Sequence, residues 1–171
     1  MKKFSVITLF FLLFSLNSFA DNSHFIDFTK VLNSSKAGAG AQKKLQEKFV
    51  SESKKFKKLE EDIRNEETDI ISQKKTISAE EYQKKVEKLR KKVANLQKSK
   101  QTSFKNISKS RNDAKLTLLK SLNPILKKYM EENKIKIILD KKAVVLGDIS
   151  LEITDQIIAT LNKEVSSIKI N

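Results

Sequence analysis

The chain has 171 residues, enough for one domain of ordinary size, with 35 Lys or Arg against 21 Asp or Glu and a formal net charge of +14. It contains no cysteine, one histidine, one proline and three glycines, which excludes disulfide staples, thiolate metal sites and cysteine-based catalysis. A charge so positive implies an anionic partner: nucleic acid, lipid headgroups or an acidic client.

The chain opens on Lys2 and Lys3, then an apolar run from Phe4 to Leu16, then Ser18-Phe19-Ala20 as a small-x-small site. That pattern predicts a signal peptide over residues 1–20, cleaved after Ala20 to leave Asp21 first. The run is shorter than the ~20 residues that span a bilayer, so a retained anchor is not expected. No cysteine follows the cut, so neither is lipid attachment. No other segment could span a membrane. The mature chain is expected to be exported and soluble, in the periplasm of a Gram-negative cell. Loss of Lys2 and Lys3 lowers the charge from +14 to +12. Export weighs against nucleic acid as the anion. The only arginines are Arg64, Arg90 and Arg111. Lysine is a solvated point charge, poorly suited to bidentate phosphate recognition, so the charge reads as diffuse attraction.

Residues 24–32, HFIDFTKVL, alternate apolar and polar and predict a short strand. Asn33, Ser34 and Ser35 follow as turn or N-cap residues, and the small residues 37–41 allow close approach of another backbone. Gly38-Ala39-Gly40 lacks the further glycine of a dinucleotide site and the Gly-Lys-Ser/Thr ending of a phosphate loop.

Residues 41–111 contain neither proline nor glycine. Their large apolar residues are spaced: Leu45, Phe49, Phe56, Leu59, Ile63 and Ile70, then Tyr82, Val86, Leu89, Val93 and Leu96. The second set steps by four and three, a seam suited to one partner helix and too thin for a globular core. Lys100 and Ser103 weaken it before Ile107 resumes it. Ser78 with Glu81 is a capping box that starts a new helix. The spacing therefore predicts two helices of about 30 residues, each roughly 45 Å long, joined near residue 75 as an antiparallel coiled-coil hairpin. The acidic run Glu60–Asp69 would then face residues 81–90, with Lys84, Lys85, Lys88 and Arg90. Toward the base, the lysines from Lys43 to Lys58 would face Lys98, Lys100 and Lys105 and should point outward.

After the hairpin, Leu116, Leu119, Leu122, Leu126, Tyr129 and Met130 recur on a helical period, and Asn123-Pro124 should kink or restart that helix. KIKIILD predicts a strand with one buried face, Lys141-Lys142 a turn, AVVLG a second strand, and Gly147-Asp148 another turn. Thr154 should cap a final helix carrying Ile157, Ile158, Leu161 and Val165. The expected class is α+β: residues 21–40 and 112–171 form a small β-rich body, and residues 41–111 a long hairpin arm. The body has too few apolar residues to be stable alone.

The signal peptide, the NSSKAGAGAQKKL turn, the Lys/Glu-rich hairpin and the pieces LDKKAVV and ITDQIIATLN together resemble the Skp/OmpH family of periplasmic chaperones. The resemblance covers essentially the whole mature chain, the arm only in style. It implies a homotrimer whose body shares strands between subunits. It also implies three arms enclosing a cavity that holds unfolded outer membrane β-barrel precursors without ATP. Anionic lipid or lipopolysaccharide is a further candidate partner, although no motif for it is found. The apolar residues Phe49, Phe56 and Phe104, expected to be exposed, and the cations Lys98, Lys100 and Lys105 are the candidate client-binding residues.

Catalysis is not expected. His24 stands beside the new N-terminus, and there is no Ser-His-Asp set, H-E-x-x-H motif or nucleotide loop. No cofactor and no metal are expected. The alternative to a chaperone is a structural or lipid-binding coiled-coil protein of the envelope. A fixed scaffold would need a continuous, rigid seam, whereas apolar residues spaced among lysines suit weak contact with a disordered chain.

Overall fold

The computed structural model describes residues 23–170, so the expected signal peptide and its cleavage site lie outside the described residues. Strand β1 spans Ser23–Ile26, and helix α1 spans Phe28–Ser34. The strand expected over 24–32 thus ends early. Asp27 stops it, because its carboxylate accepts from the Lys30 N–H at 2.8 Å and caps a helix. Phe28, Val31 and Leu32 then lie on one helical face, and Val31 is fully buried.

One residue separates α1 from α2, Lys36–Ser72. Ser35 is extended, and its Oγ accepts from the Gly38 N–H at 3.2 Å. A Cβ on Gly38 would lie 2.0 Å from the Leu32 carbonyl oxygen. The close approach expected of the small residues is thus made there, onto the backbone of α1. A turn of 3-10 helix, Gln73–Lys75, ends α2. Helix α3 then runs from Ala79 to Asn133, 55 residues, with Ser78 Oγ accepting from the Glu81 N–H at 3.1 Å at its start. At 1.5 Å rise per residue, α2 and α3 are about 55 and about 80 Å long.

Helix α3 passes through Pro124 without ending there. Leu122 and Ile125 on either side are buried in the core, and that packing holds the turn in which proline removes a hydrogen bond. Leu118 is buried while Leu116 is half exposed, so the apolar face sits at 118, 122 and 125 and not at 116. The helix ends at Lys134, whose φ of 55° is left-handed.

Strand β2, Ile137–Asp140, pairs with β1 in parallel, in the register Ser23↔Ile137 to Ile26↔Asp140. Parallel neighbours require a long crossover. Here the crossover is everything between, including both long helices. The expected second strand at AVVLG does not form. Asp140 and Asp148 each accept from the N–H two residues on, from Lys142 at 3.0 Å and Ser150 at 2.8 Å, and build tight turns around it. Val145 and Leu146 are fully solvent-exposed. With no neighbour to pair with in one chain, that segment stays irregular. Nor is a strand face buried in β2: Ile137 and Leu139 are about half exposed, while Ile138 packs against the core. The described residues of one chain thus hold two four-residue strands and are not β-rich.

Helix α4 spans Thr154–Glu164. Thr154 does not cap it. Its hydroxyl accepts from the Asp27 N–H at 2.9 Å and donates to Glu152 at 2.8 Å, tying α4 to the end of β1. The core joins Ile26, Val31, Leu118, Leu122, Ile157 and Leu161, all essentially without exposure. The architecture is α+β: long helical arms and a small sheet on one compact core. Among the described residues, no helix is long and apolar enough to cross a membrane.

Candidate functional site

The stretch of α2 and α3 beyond the core is held by contacts that pair late residues of one helix with early residues of the other. Nearest the turn, Lys85 Nζ donates to Gln73 Oε1 at 2.6 Å. Lys92 pairs with Glu66, Lys100 with Glu60 at 2.6 Å, and Ser103 Oγ donates to Glu52 at 2.9 Å. Opposite charges meet across the seam as the composition suggested, but further along α3 than the expected 81–90 block. The 3-10 turn and residues Thr76–Ser78 lengthen the connection and shift the register. Lys84 pairs instead with Glu80 on its own helix. Lys100, expected to point outward, reaches across to Glu60, because its long stem can follow the seam while the ammonium finds the acid.

Apolar contact is made at intervals. Leu45, Phe56 and Ile70 on α2 and Leu96 and Ile107 on α3 are buried. Between them Phe49, Leu59 and Val93 remain about 40% exposed, and Ile71 59%. Two shallow grooves follow. One, of about 440 Å³, is lined by Leu59, Ile63 and Leu96. The other, of about 490 Å³, is lined by Ile70, Tyr82, Val86 and Val93.

The structure brings the three candidate phenylalanines together. The Phe104 ring lies 5.4 Å from Phe49 and 5.9 Å from Phe56, centroid to centroid and tilted, within the range of favourable aromatic pairs. The three do not share one environment. Phe56, expected to be exposed, is buried at 4% exposure, Phe104 is half buried, and Phe49 is 41% exposed. Phe56 anchors the cluster and Phe49 presents its open edge. Lys55 stands 6.0 Å from the Phe56 centroid, a cation–π distance. Lys98 and Lys105 are exposed, and among the described residues neither has an ion pair. Sequence spacing missed the Phe49–Phe104–Phe56 contact because Phe104 lies off the four-and-three seam.

At the base, charge serves the fold. Lys141 pairs with Glu152 at 2.9 Å, and with the Thr154 hydroxyl it holds the Glu152 carboxyl below its ordinary range. The Asp155 carboxylate, 2.6 Å away, raises the Lys30 ammonium. The Ser150 backbone N–H lowers Asp148. No group of three or more His, Cys, Asp or Glu able to hold a metal occurs among the described residues. His24 lies within β1, opposite Ile138.

The fold matches a crystal structure from Caulobacter crescentus of a protein assigned as a candidate outer membrane chaperone (OmpH-like). The TM-score is 0.82 at 19% identity, over 88% of this chain and 89% of that one. No curated protein matches the sequence. The family model described as outer membrane protein (OmpH-like) matches residues 23–161, from the first residue of β1 into the last turn of α4. By that match over most of its length, the chain belongs to the OmpH-like family.

Proposed function

We propose that this protein is an ATP-independent periplasmic holdase that binds unfolded outer membrane β-barrel precursors and keeps them from aggregating. Residues 41–111 act as an antiparallel hairpin arm, and residues 21–40 with 112–171 as the body. The observation that carries the reading is the unfinished seam. Two paired helices stand out from a small core, and apolar side chains along them are left half exposed beside unpaired lysines. A rigid scaffold would close that seam. An unfolded client needs many weak apolar contacts, none strong enough to trap it. Phe49 and Phe104 offer such contacts, Phe56 holds their cluster, and Lys98 and Lys105 attract an acidic chain. Lys100 contributes by setting the seam.

The body supports association. Ile137, Leu139, Val145, Leu146 and Ile149 are exposed beside a sheet of only two strands. Contiguous apolar surface next to an open sheet edge invites strand pairing with another copy. Three copies sharing strands there would complete a β-rich body and set three arms around a cavity. The test is dilution of a urea-denatured outer membrane barrel protein into buffer with purified mature protein. Light scattering should fall to baseline at a fixed trimer-to-client ratio, without nucleotide. Unchanged aggregation at excess protein would refute the reading.

A further inference from the structure

Where the arm meets the body there is a cavity of about 390 Å³, within the size range of small-ligand sites. Leu45, Leu118 and Ile168 form its apolar wall, and Arg111 and Lys115 stand at it from α3. No Asp or Glu lines it. Arg111 and Lys115 are one helical turn apart and face the same side, so they repel each other. Among the described residues neither has an ion pair. The neighbouring acid, Asp113, is paired with Lys109 at 2.8 Å. An apolar pocket with two uncompensated cations and no acid is complementary to a group that is apolar and anionic at once. Within a polypeptide, only the C-terminal residue joins a large apolar side chain to a carboxylate on the same residue. An internal Asp or Glu brings the charge without the apolar body.

We propose that this cavity captures the C-terminal residue of a bound polypeptide. The apolar side chain seats against Leu45, Leu118 and Ile168. The terminal carboxylate pairs with Arg111, whose planar fork matches it bidentately, and with Lys115. This rests on the holdase reading for its source of polypeptide, and it adds a defined end-on contact to the diffuse ones along the arm.

The experiment uses the assembled mature protein and a fluorescein-labelled octapeptide ending in leucine, as the free acid and as the C-terminal amide, read by anisotropy. The free acid should bind at least about tenfold more tightly, the value of one charge-assisted hydrogen-bond pair. Arg111→Gln with Lys115→Gln, both exposed positions, should lower its affinity to that of the amide. Equal binding of the two peptides would overturn the proposal. So would binding of laurate with neither peptide retained, which would make the cavity a single-chain lipid site. The aggregation assay, run on the same double variant, separates the two readings. Suppression without free-acid selectivity sinks the cavity proposal alone, whereas selectivity without suppression supports the cavity and sinks the holdase.

Discussion

Two glycines two residues apart illustrate how differently one residue type can be used. Gly38 faces the Leu32 carbonyl so closely that any Cβ must displace backbone, whereas a Cβ on Gly40 would meet nothing within 4 Å. Gly38→Ala should cost about 1–3 kcal/mol by overpacking. Gly40→Ala, exposed in the same helix, should gain about 0.5–1 kcal/mol from lost unfolded-state freedom. Urea midpoints of opposite sign relative to wild type are the expected result. Glu152 is a charged residue that ties the base together, through Lys141 and Thr154. Its folded carboxyl lies below the ordinary glutamate value of 4.5, through Lys141 first and Thr154 second. Its contribution is therefore present above pH 4.5 and lost as pH falls through the depressed folded value. Glu152→Gln should destabilise at about pH 7 by no more than about 1 kcal/mol, and the gap to wild type should close in strong acid. Thermal melts across that range check it; a gap that widens on acidification would show that the Lys141 pairing is not what lowers the carboxyl.

At the scale of elements, the starts of α2 and α3 were legible because they depend on local chemistry, whereas the start of α1 and the cap of α4 were not. Ser78 and Glu81 mark the start of α3, and Ser35 starts α2 by the same kind of oxygen-to-N–H contact. The strand calls for partners, and there local reading failed. HFIDFTKVL alternates like a strand over its whole length, yet Asp27 caps a helix within it. AVVLG has strand composition and no neighbour. Proline shows the same contrast between local rule and context. Pro124 is carried within α3 by core packing on both sides. The arm has no such support, since Val86 is only half buried and Val93 is 39% exposed. Val86→Pro or Val93→Pro should therefore break the arm helix at a cost of about 3 kcal/mol or more and sharply reduce ellipticity, while the assembly proposed for the body should survive. Loss of the assembled state in sedimentation would show that arm and body are not separable.

At the scale of the whole molecule, a small core carries two long helices and an exposed apolar edge, so a single copy should be poorly stabilised. Sedimentation of the mature protein at micromolar concentration should show a trimer; a stable folded monomer would refute it. Charge should govern how clients arrive. Residues 82–111 carry eleven Lys or Arg and only Glu87 as an acid, whereas residues 41–72 carry eight of each sign. Exposed charges are screened beyond about 8 Å at physiological ionic strength, so capture should weaken as salt rises while apolar contact at Phe49 and Phe104 should not. Lys98→Gln with Lys105→Gln should slow association more than it speeds dissociation. Lys100→Gln should in addition loosen the seam, because it breaks the pair with Glu60. Stopped-flow rates over a salt series distinguish these. Association indifferent to both salt and the two substitutions would make the basic arm a solubility device.

Sequence alone determined the long paired helices, the capped start of α3, the presence of a strand within KIKIILD though not its bounds or its burial, the final apolar helix and the family. Each depends on spacing and capping within a few residues or, for the family, on a pattern running the length of the chain. Only the tertiary structure decided the register that joins Glu60 to Lys100 and gathers Phe49, Phe56 and Phe104, the passage of α3 through Pro124, and the pairing of β1 with β2 across the whole crossover. Those depend on which residues distant in sequence meet. A connection longer by a few residues moves every cross-helix partner while leaving the local pattern of each helix unchanged.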